Sequence, residues 1–269
     1  MSDLPPASTT TLSRFRPLAE FVHALKFLTR LPVPFSRTID PPPFNQIMRM
    51  FSVVGAFIGC GIALVLLAGK YVYLPPMLAG LLAVAAGMLL TGALHEDGLA
   101  DTADGFGGGK TKERRLEIMR DSRIGSYGTL ALIVAVGVRV SCYAALLPFA
   151  PEAMVFVIAA CQSFSRALVV DLLWATRPAR LNGLSVYAGQ PTRGVAMSAI
   201  LVGLLLTLVA GYFTHFENAV LALGLGLAVT AGIRQFAMRL IGGQTGDVCG
   251  AVQVTCEVVM LTAFVATLH

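Results

Sequence analysis

The sequence predicts an all-α protein that crosses a membrane about seven times, and three observations lead to this prediction. Apolar residues make up 56% of the 269 residues and charged residues only 13%, whereas soluble domains carry roughly 25% charged residues. The apolar residues fall into runs of about 20, which is the helical length that crosses the hydrocarbon of a bilayer. The runs lack the alternation of barrel strands, so helices are the expected spanning structure. This composition excludes a large water-soluble domain.

The predicted elements follow these runs along the chain. Residues 1–16 are polar and rich in Pro, Ser and Thr, which predicts a disordered N-terminal tail and not a cleaved signal peptide. Residues 17–269 are expected to form a single transmembrane domain, in which the segment 21–31 lies on the membrane surface or dips into it. Seven spans are predicted near residues 51–69, 75–94, 127–149, 153–174, 194–213, 218–238 and 249–268.

The basic residues predict how these spans are oriented. Sixteen of the twenty Lys and Arg residues lie before the first span or in the loops after the second, fourth and sixth spans, which share one side of the membrane. Lys70 alone lies on the other side, and three more fall within spans. Because cytoplasmic loops carry the excess of Lys and Arg, we expect the shared side to face the cytoplasm. The net charge of +5 then reflects topology and contact with anionic lipid, and it does not indicate nucleic-acid binding.

Three aspartates after the second predicted span have the spacing of one helix face. Asp97, Asp101 and Asp104 stand at positions i, i+4 and i+7, so their side chains project together if the helix of this span continues through them. Their mutual repulsion requires a compensating cation, and Mg²⁺ commonly takes one or two carboxylates together with substrate phosphates. We therefore predict a Mg²⁺ site on the cytoplasmic side. The alternative is a solvated acidic turn where a helix leaves the bilayer.

The glycines after this stripe look like the end of a phosphate-binding loop. The segment GGGKT at Gly107–Thr111 would complete the motif G-x-x-x-x-G-K-[ST], but Asp104 stands where the first glycine belongs and no strand precedes it. A P-loop is therefore excluded. We expect the glycines to end the helix and to let backbone approach a phosphate.

Two further groups of polar residues are predicted on the same side. Arg120, Asp121 and Arg123 precede the third span, where they bind either phosphate oxygens or lipid headgroups. The segment GGQTGD at Gly242–Asp247 joins the last two spans. Glycine, a hydroxyl and a carboxylate recur there at the same depth as in the aspartate stripe, which indicates one interfacial site.

Charged residues inside spans are costly and either serve function or pair with one another. We expect Arg139 to form a salt bridge. Glu257 is either functional or paired with Arg139 or Arg166. For Arg166 two interpretations stay open, namely contact with a substrate and neutralisation of another intramembrane charge such as Asp171.

The longest polar segment carries a resemblance to a known family. His95–Gly128 begins with HEDGLADTADGFGGG and ends with RRLEIMRDSRIGSYG, and it resembles the signature of cobalamin 5′-phosphate synthase, also called adenosylcobinamide-GDP ribazoletransferase. Gly242–Ala251, Leu25–Pro34 and Ala179–Arg180 fit the same family, so the resemblance covers most of the chain. A departure is Glu96, which stands where the family usually has an apolar residue.

The resemblance implies a Mg²⁺-requiring enzyme of the bacterial inner membrane, with residues 17–269 as its catalytic domain. In the implied reaction the ribose 3′-hydroxyl of α-ribazole, or of its 5′-phosphate, attacks the corrinoid-proximal phosphorus of adenosylcobinamide-GDP. GMP leaves, and the phosphodiester of adenosylcobalamin or its 5′-phosphate forms. Expected partners are both substrates and membrane lipid. A second copy of the chain and other enzymes of cobalamin assembly stay open as partners.

The resemblance also suggests roles for the polar residues. Asp97 and Asp101 would bind Mg²⁺ with Asp247 completing the site, and Asp104 would act as a further ligand or as the general base for the 3′-hydroxyl. The remaining assignments are contacts to phosphates or substrate, and they fall on Arg120, Asp121, Arg123, Arg166, Arg180, Thr245 and Gly246.

Two rival functions are weighed against this enzyme. A CDP-alcohol phosphotransferase acting on lipid carries the motif D-G-x-x-A-R, which Asp97–Ala100 matches only in its first half. A secondary transporter would use Arg139, Arg166 and Glu257 as charges along its pathway, with a site near the midplane between two repeats. The polar motifs lie at one interface and the sequence shows no internal repeat, so we favour the ribazoletransferase.

Overall fold

The computed structural model describes residues 15–33, 40–181 and 183–266, and it confirms the all-α fold. Nearly all of the predicted tail 1–16, Pro34 of the N-terminal motif and the last residues of the seventh predicted span lie outside these ranges. Within them the chain forms twelve α-helices and a 3₁₀ turn at Met48–Met50. The helices are α1 Pro17–Leu28, α2 Phe44–Ile47, α3 Phe51–Tyr71, α4 Pro76–Thr91, α5 Leu94–Gly108, α6 Lys112–Ile118, α7 Ser126–Leu146, α8 Pro151–Ala175, α9 Leu184–Ala188, α10 Arg193–Phe213, α11 Phe216–Leu240 and α12 Gly246–Ala266.

Seven crossings of a membrane are available to these helices. Six continuous helices are long and apolar enough to span: α3 with its N-terminal extension from Phe44, α7, α8, α10, α11 and α12. The seventh is the bent pair of α4 and α5, taken together as one span. Large apolar side chains on the outer faces of the spans are exposed, for example Leu64, Leu130 and Leu201, as expected for helices that face lipid.

The prediction that the aspartate stripe continues the second span is wrong. α4 ends at Thr91, because Gly92 and Ala93 both adopt left-handed conformations with φ of +68° and +54°. A left-handed residue stops an α-helix, and glycine adopts this conformation at little cost. α5 consequently leaves α4 at an angle of 93°. The apolar residues of the predicted second span therefore lie in α4, whereas the aspartate stripe lies in the separate helix α5.

The spans pack around α8 and bring one set of helix ends together. Eighteen of the 25 residues of α8 are buried, which places it at the centre of the bundle. Successive spans are antiparallel, so α4 and α8 end where α7 and α12 begin; we call this the polar end. Two loops pair there: the Ala179 N–H donates to the Gln244 carbonyl at 2.8 Å, and the Gln244 N–H donates to the Arg177 carbonyl at 3.0 Å.

Candidate active site

The acidic helix α5 lies directly against the start of α12. A Cβ atom added to Gly98 would lie 2.7 Å from the Asp247 carbonyl oxygen, and one added to Gly250 would lie 2.8 Å from the His95 carbonyl oxygen. The two backbones are therefore in contact, and glycine is required at both positions. This contact brings the first two aspartates of the stripe beside Asp247, as the sequence predicted. The roles of Gly98 and Gly250 in the contact could not be predicted from the sequence.

We expect Gly98→Ala to destabilise the protein, because the new methyl group has no space between α5 and α12. Overpacking of this kind costs about 1–3 kcal/mol, which a thermal unfolding midpoint in detergent detects. Gly137→Ala is the matched control. A Cβ at Gly137 meets nothing within 4 Å, and alanine favours a helix over glycine, so this variant should be as stable as the wild type or more so. Equal midpoints for the two variants would contradict the close contact.

The carboxylates of this region interact through their charges. The pKa of Asp101 is raised from 3.8 to about 7, first by burial and then by the charges of Asp97, Asp247 and Asp104, while Arg180 acts in the opposite direction. Like charges that converge in a partly buried place favour the uptake of a proton or a cation. The aspartate stripe and Asp247 therefore form one electrostatic unit, which suits a positively charged ligand.

Arg180 adds a positive charge at the edge of this unit. Its Nη2 lies 3.6 Å from the Asp247 Oδ2 and donates a hydrogen bond to the Leu116 carbonyl at 3.1 Å. Burial lowers the pKa of Arg180, whereas Asp247 raises it and Arg120 lowers it further. The paired loops 177–179 and 242–244 hold Arg180 in this position, and its predicted contact with a phosphate stays a prediction.

Asp104 makes contacts that the sequence did not indicate. Its Oδ2 accepts a hydrogen bond from the Gly125 N–H at 2.7 Å, and its Oδ1 accepts one from the Gly128 N–H at 2.9 Å. Asp104 is buried, with 8% of its surface exposed. The carboxylate therefore satisfies free N–H groups at the start of α7 and favours that helix through its dipole. Asp104 ties α5 to α7 whatever further role it has.

The predicted site residues line two adjacent spaces. One is an open groove of about 780 Å³ whose polar lining includes Asp104, Arg120, Asp121 and Arg123. The other is a cavity of about 180 Å³, here called the inner cavity, whose polar lining includes Asp97, Arg166, Arg180, Gly246 and Asp247. A separation of seven residues along a helix corresponds to about 10 Å, which explains why the two ends of the stripe reach different spaces.

Asp121 and Arg123 bind each other at the rim of the groove. Arg123 Nη2 lies 2.8 Å from Asp121 Oδ2, and its Nε donates to Oδ1 at 3.1 Å. These hydrogen bonds lower the pKa of Asp121 to about 2. The Arg123 side chain is 86% exposed, so a phosphate in the groove can reach it. The structure brings both residues near Asp104, but not to Asp97.

Thr245 serves Asp247 in this structure. Its hydroxyl donates to the Asp247 Oδ2 at 3.1 Å and accepts a hydrogen bond from the Val248 N–H at 3.3 Å. The residue is buried, at 2% exposure. Thr245 thus caps the start of α12 and orients the carboxylate that faces the inner cavity. Its predicted contact with substrate stays a prediction.

A buried network of charged and polar side chains lies beneath α5. Arg139 Nη1 donates to Glu96 Oε1 at 2.7 Å and lies 3.9 Å from Glu257 Oε2. Glu257 also accepts hydrogen bonds from the Tyr143 hydroxyl and from Gln253 Nε2, both at 3.1 Å. The expected salt bridge of Arg139 is therefore present, and Glu257 has the partner that the structural alternative named. The role of Glu96 was missed, because its partner is 43 residues away in sequence.

Arg166 borders both the network and the inner cavity. It is 2% exposed, and its Nη1 donates to the carbonyl and side-chain oxygens of Gln162. It interacts through charge with Glu257 and Glu96. Asp171, the alternative partner of Arg166, interacts through charge with Arg234. Arg166 thus neutralises intramembrane charge and is also placed to touch a ligand.

The chain is similar to known proteins over nearly its whole length. Residues 20–265 match the protein family described as "Cobalamin-5-phosphate synthase". A protein of Azorhizobium caulinodans named adenosylcobinamide-GDP ribazoletransferase is 46% identical over 250 residues, which cover 91% of this chain and 95% of the relative. Proteins with the same name from Xanthobacter autotrophicus and Bradyrhizobium diazoefficiens are 44% and 42% identical and cover 90% and 91% of this chain, and 94% and 92% of the relatives.

No solved structure matches the chain significantly. The family match nevertheless spans all seven membrane crossings and both polar segments that meet at the polar end. The chain belongs to the cobalamin-5-phosphate synthase family.

Proposed function

We propose that this protein joins α-ribazole, or its 5′-phosphate, to adenosylcobinamide-GDP and releases GMP. One observation carries the proposal: the carboxylates of α5, Asp247 and Arg180 meet beside a cavity at the polar end of a transmembrane bundle of this family. In this reaction the ribose 3′-oxygen forms a bond to the corrinoid-proximal phosphorus. The bond from that phosphorus to the bridging oxygen breaks, and the oxygen leaves with GMP.

The donor set of the site fits Mg²⁺ shared with a substrate. Among the described residues, no three His, Cys, Asp or Glu side chains are grouped closely enough to hold a metal ion by themselves. Mg²⁺ does not require such a group, since it usually takes one or two carboxylates and completes its shell with phosphate oxygens and water. Asp97, Asp101 and Asp247 supply hard oxygen donors and a negative charge that calls for compensation. When bound, Mg²⁺ supplies charge neutralisation for the pyrophosphate.

The side chains of the protein would then bind and orient the two substrates. Arg180, held by the Leu116 carbonyl and facing Asp247, can contact phosphate oxygens of the nucleotide. Arg120 and Arg123 line the neighbouring groove and can hold a second phosphate. Asp104 stays our candidate for accepting the proton of the 3′-hydroxyl, because each carboxylate oxygen retains a lone pair beyond its backbone hydrogen bond.

We further propose that the polar end faces the cytoplasm of a bacterial inner membrane. The excess of Lys and Arg in the segments that meet at this end supports this orientation through the positive-inside rule. GMP and the pyrophosphate of the nucleotide-activated substrate are anionic, and this basic end would attract them.

The transporter alternative gains no support from the buried charges. Arg139 and Glu257, which would line a pathway, lie 3.9 Å apart around a cavity of about 10 Å³. That volume is about the size of a single water molecule. A CDP-alcohol phosphotransferase would act on lipid, and the family of the relatives does not favour it.

The proposed function is tested by GMP release from the purified protein. With Mg²⁺, adenosylcobinamide-GDP and α-ribazole, we expect GMP to form together with a cobalamin product. Excess EDTA should reduce the rate at least about a hundredfold, and added Mg²⁺ should restore it, because Arg180 alone does not compensate the charges of Asp97, Asp101 and Asp247. CDP-diacylglycerol in place of the corrinoid nucleotide is the control and should give no CMP. GMP that forms without ribazole, or in the presence of EDTA, would contradict the proposal.

A further inference from the structure

The inner cavity has one polar wall and one aromatic wall. The polar wall carries Asp97, Asp247 and Arg180 of the candidate site. The apolar side chains of the lining, here called the apolar wall, come from α1, α2, the 3₁₀ turn, the start of α3 and the end of α8; they include Phe27, Phe44, Met48, Phe51 and Leu173. A cavity with such a division suits a ligand that has an apolar end and a polar, phosphate-bearing or hydroxyl-bearing end.

Three phenylalanines give the apolar wall a defined shape. The Phe27 and Phe51 rings are nearly parallel, with an interplanar angle of 14° and centroids 5.8 Å apart. The Phe44 ring meets Phe27 edge to face, at 90° and 4.8 Å. Phe51 is buried, while Phe27 and Phe44 are half-buried. Flat aromatic ligands bind such walls by stacking and by edge-to-face contact.

We propose that the inner cavity binds the base of ribazole, which is a dimethylbenzimidazole. This inference rests on the proposed function and adds which part of which substrate the cavity receives. Ribazole's base is a fused flat bicycle with apolar edges, whereas guanine carries an amine, a carbonyl and a ring N–H that lose hydrogen bonds against an apolar wall. The cavity volume of about 180 Å³ is below the roughly 300 Å³ of typical small-molecule sites, so it accommodates one ring system and not a whole nucleotide.

Arg166 provides the polar contact that such a base needs. It lines the same cavity, and among the described residues its Nε has no hydrogen-bond partner although the side chain is 2% exposed. A buried donor without a partner is costly. The benzimidazole of ribazole has one ring nitrogen that is not bonded to the sugar, and this nitrogen accepts a hydrogen bond. Arg166 therefore matches the single polar atom of the base.

The variant Phe44→Ala tests the cavity. Stacking on an aromatic side chain contributes roughly 1–3 kcal/mol per base, so we expect KM for ribazole to rise about tenfold while KM for adenosylcobinamide-GDP stays within twofold. Phe27→Ala should act in the same direction and serves if Phe44→Ala does not fold. Phe156→Ala is the matched control, since Phe156 stacks on Phe213 at the opposite end of the bundle. A larger change in KM for the corrinoid nucleotide than for ribazole would overturn the proposal.

Equilibrium dialysis with ribazole alone separates this inference from the proposed function. We expect Phe44→Ala to weaken ribazole binding about tenfold and to leave the inhibition constant of GMP unchanged. A nucleoside whose free ring nitrogen is replaced by C–H should bind the wild type at least fivefold more weakly than ribazole does. If GMP is released normally but neither Phe44→Ala nor the loss of the ring nitrogen weakens ribazole binding, the cavity assignment is wrong and the proposed function is retained. If Phe44→Ala weakens ribazole binding but no GMP forms with the wild type, the proposed function is wrong and the cavity assignment is retained.

Discussion

Asp101→Asn is expected to remove transfer activity while leaving the fold intact. Asp101 lies half-buried between the ends of the acidic stripe and feels the charges of Asp97, Asp247 and Asp104. Loss of one preorganised charged group at a site of phosphoryl transfer lowers turnover by roughly 10²–10³-fold. Turnover of adenosylcobinamide-GDP and ribazole at saturating Mg²⁺ measures this effect.

The same variant should be at least as stable as the wild type. Burial and like charges raise the pKa of Asp101 from 3.8 to about 7, so the folded protein holds this proton more tightly than the unfolded chain. Asp101 therefore lowers stability as pH rises from 3.8 to about 7, and asparagine at this position removes that loss. We expect a thermal midpoint at pH 8 that is equal to or above that of the wild type.

Asp40→Asn is the matched control for charge removal, because Asp40 is exposed and lies in none of the helices. It should change neither turnover nor stability. An Asp101→Asn protein that keeps more than a tenth of the wild-type turnover would refute a role for Asp101 in catalysis. One that is inactive and also unstable would show that the residue is structural.

Arg139→Leu is expected to cause the largest loss of stability. One guanidinium nitrogen of Arg139 serves both Glu96, at 2.7 Å, and Glu257, at 3.9 Å. Removing it leaves two buried carboxylates without their nearest cation, and breaking a buried ion pair in this way costs about 3–5 kcal/mol. Glu96→Leu should cost less, since Arg139 keeps Glu257 as its partner.

The two variants are compared by heating the purified proteins in detergent and measuring the fraction that stays folded. We expect the order wild type, Glu96→Leu and Arg139→Leu from most to least stable. Arg193→Leu, which removes an exposed arginine at the start of α10, should behave like the wild type. An Arg139→Leu protein as stable as Glu96→Leu would mean that Glu257 does not depend on this arginine.

The membrane fold could be predicted from the sequence because the bilayer imposes one simple requirement. About 20 consecutive apolar residues are needed for each crossing, and the seven runs that meet it correspond to α3, α4, α7, α8, α10, α11 and α12. The break at Gly92 and Ala93 escaped prediction. Glycine is common inside transmembrane helices, and Leu89–Leu94 is apolar except for Thr91 and Gly92, so hydropathy does not mark the bend.

The site could be predicted in part. The spacing of Asp97 and Asp101 and the glycine-rich segment before Asp247 indicated side chains that the structure places in one electrostatic unit. The spacing did not reveal that Asp104 turns toward the start of α7, because a shared helix face says nothing about which neighbour each residue meets along the axis.

Contacts between distant segments escaped prediction for a related reason. Gly98 and Gly250 are 152 positions apart in sequence, and nothing in either segment indicates that their backbones touch. The aromatic wall was missed as well, because Phe27, Phe44 and Phe51 belong to three different helices and each alone reads as an ordinary apolar residue.

The right-angled turn after α4 has a consequence for how the corrinoid substrate reaches the site. Because α5 turns by 93° from the axis of α4, Asp97 and Asp101 lie beside the start of α12 and not along the second span. On the proposed function, only the nucleotide arm of the bulky corrinoid has to reach these carboxylates, so the macrocycle itself does not have to enter the 180 Å³ inner cavity.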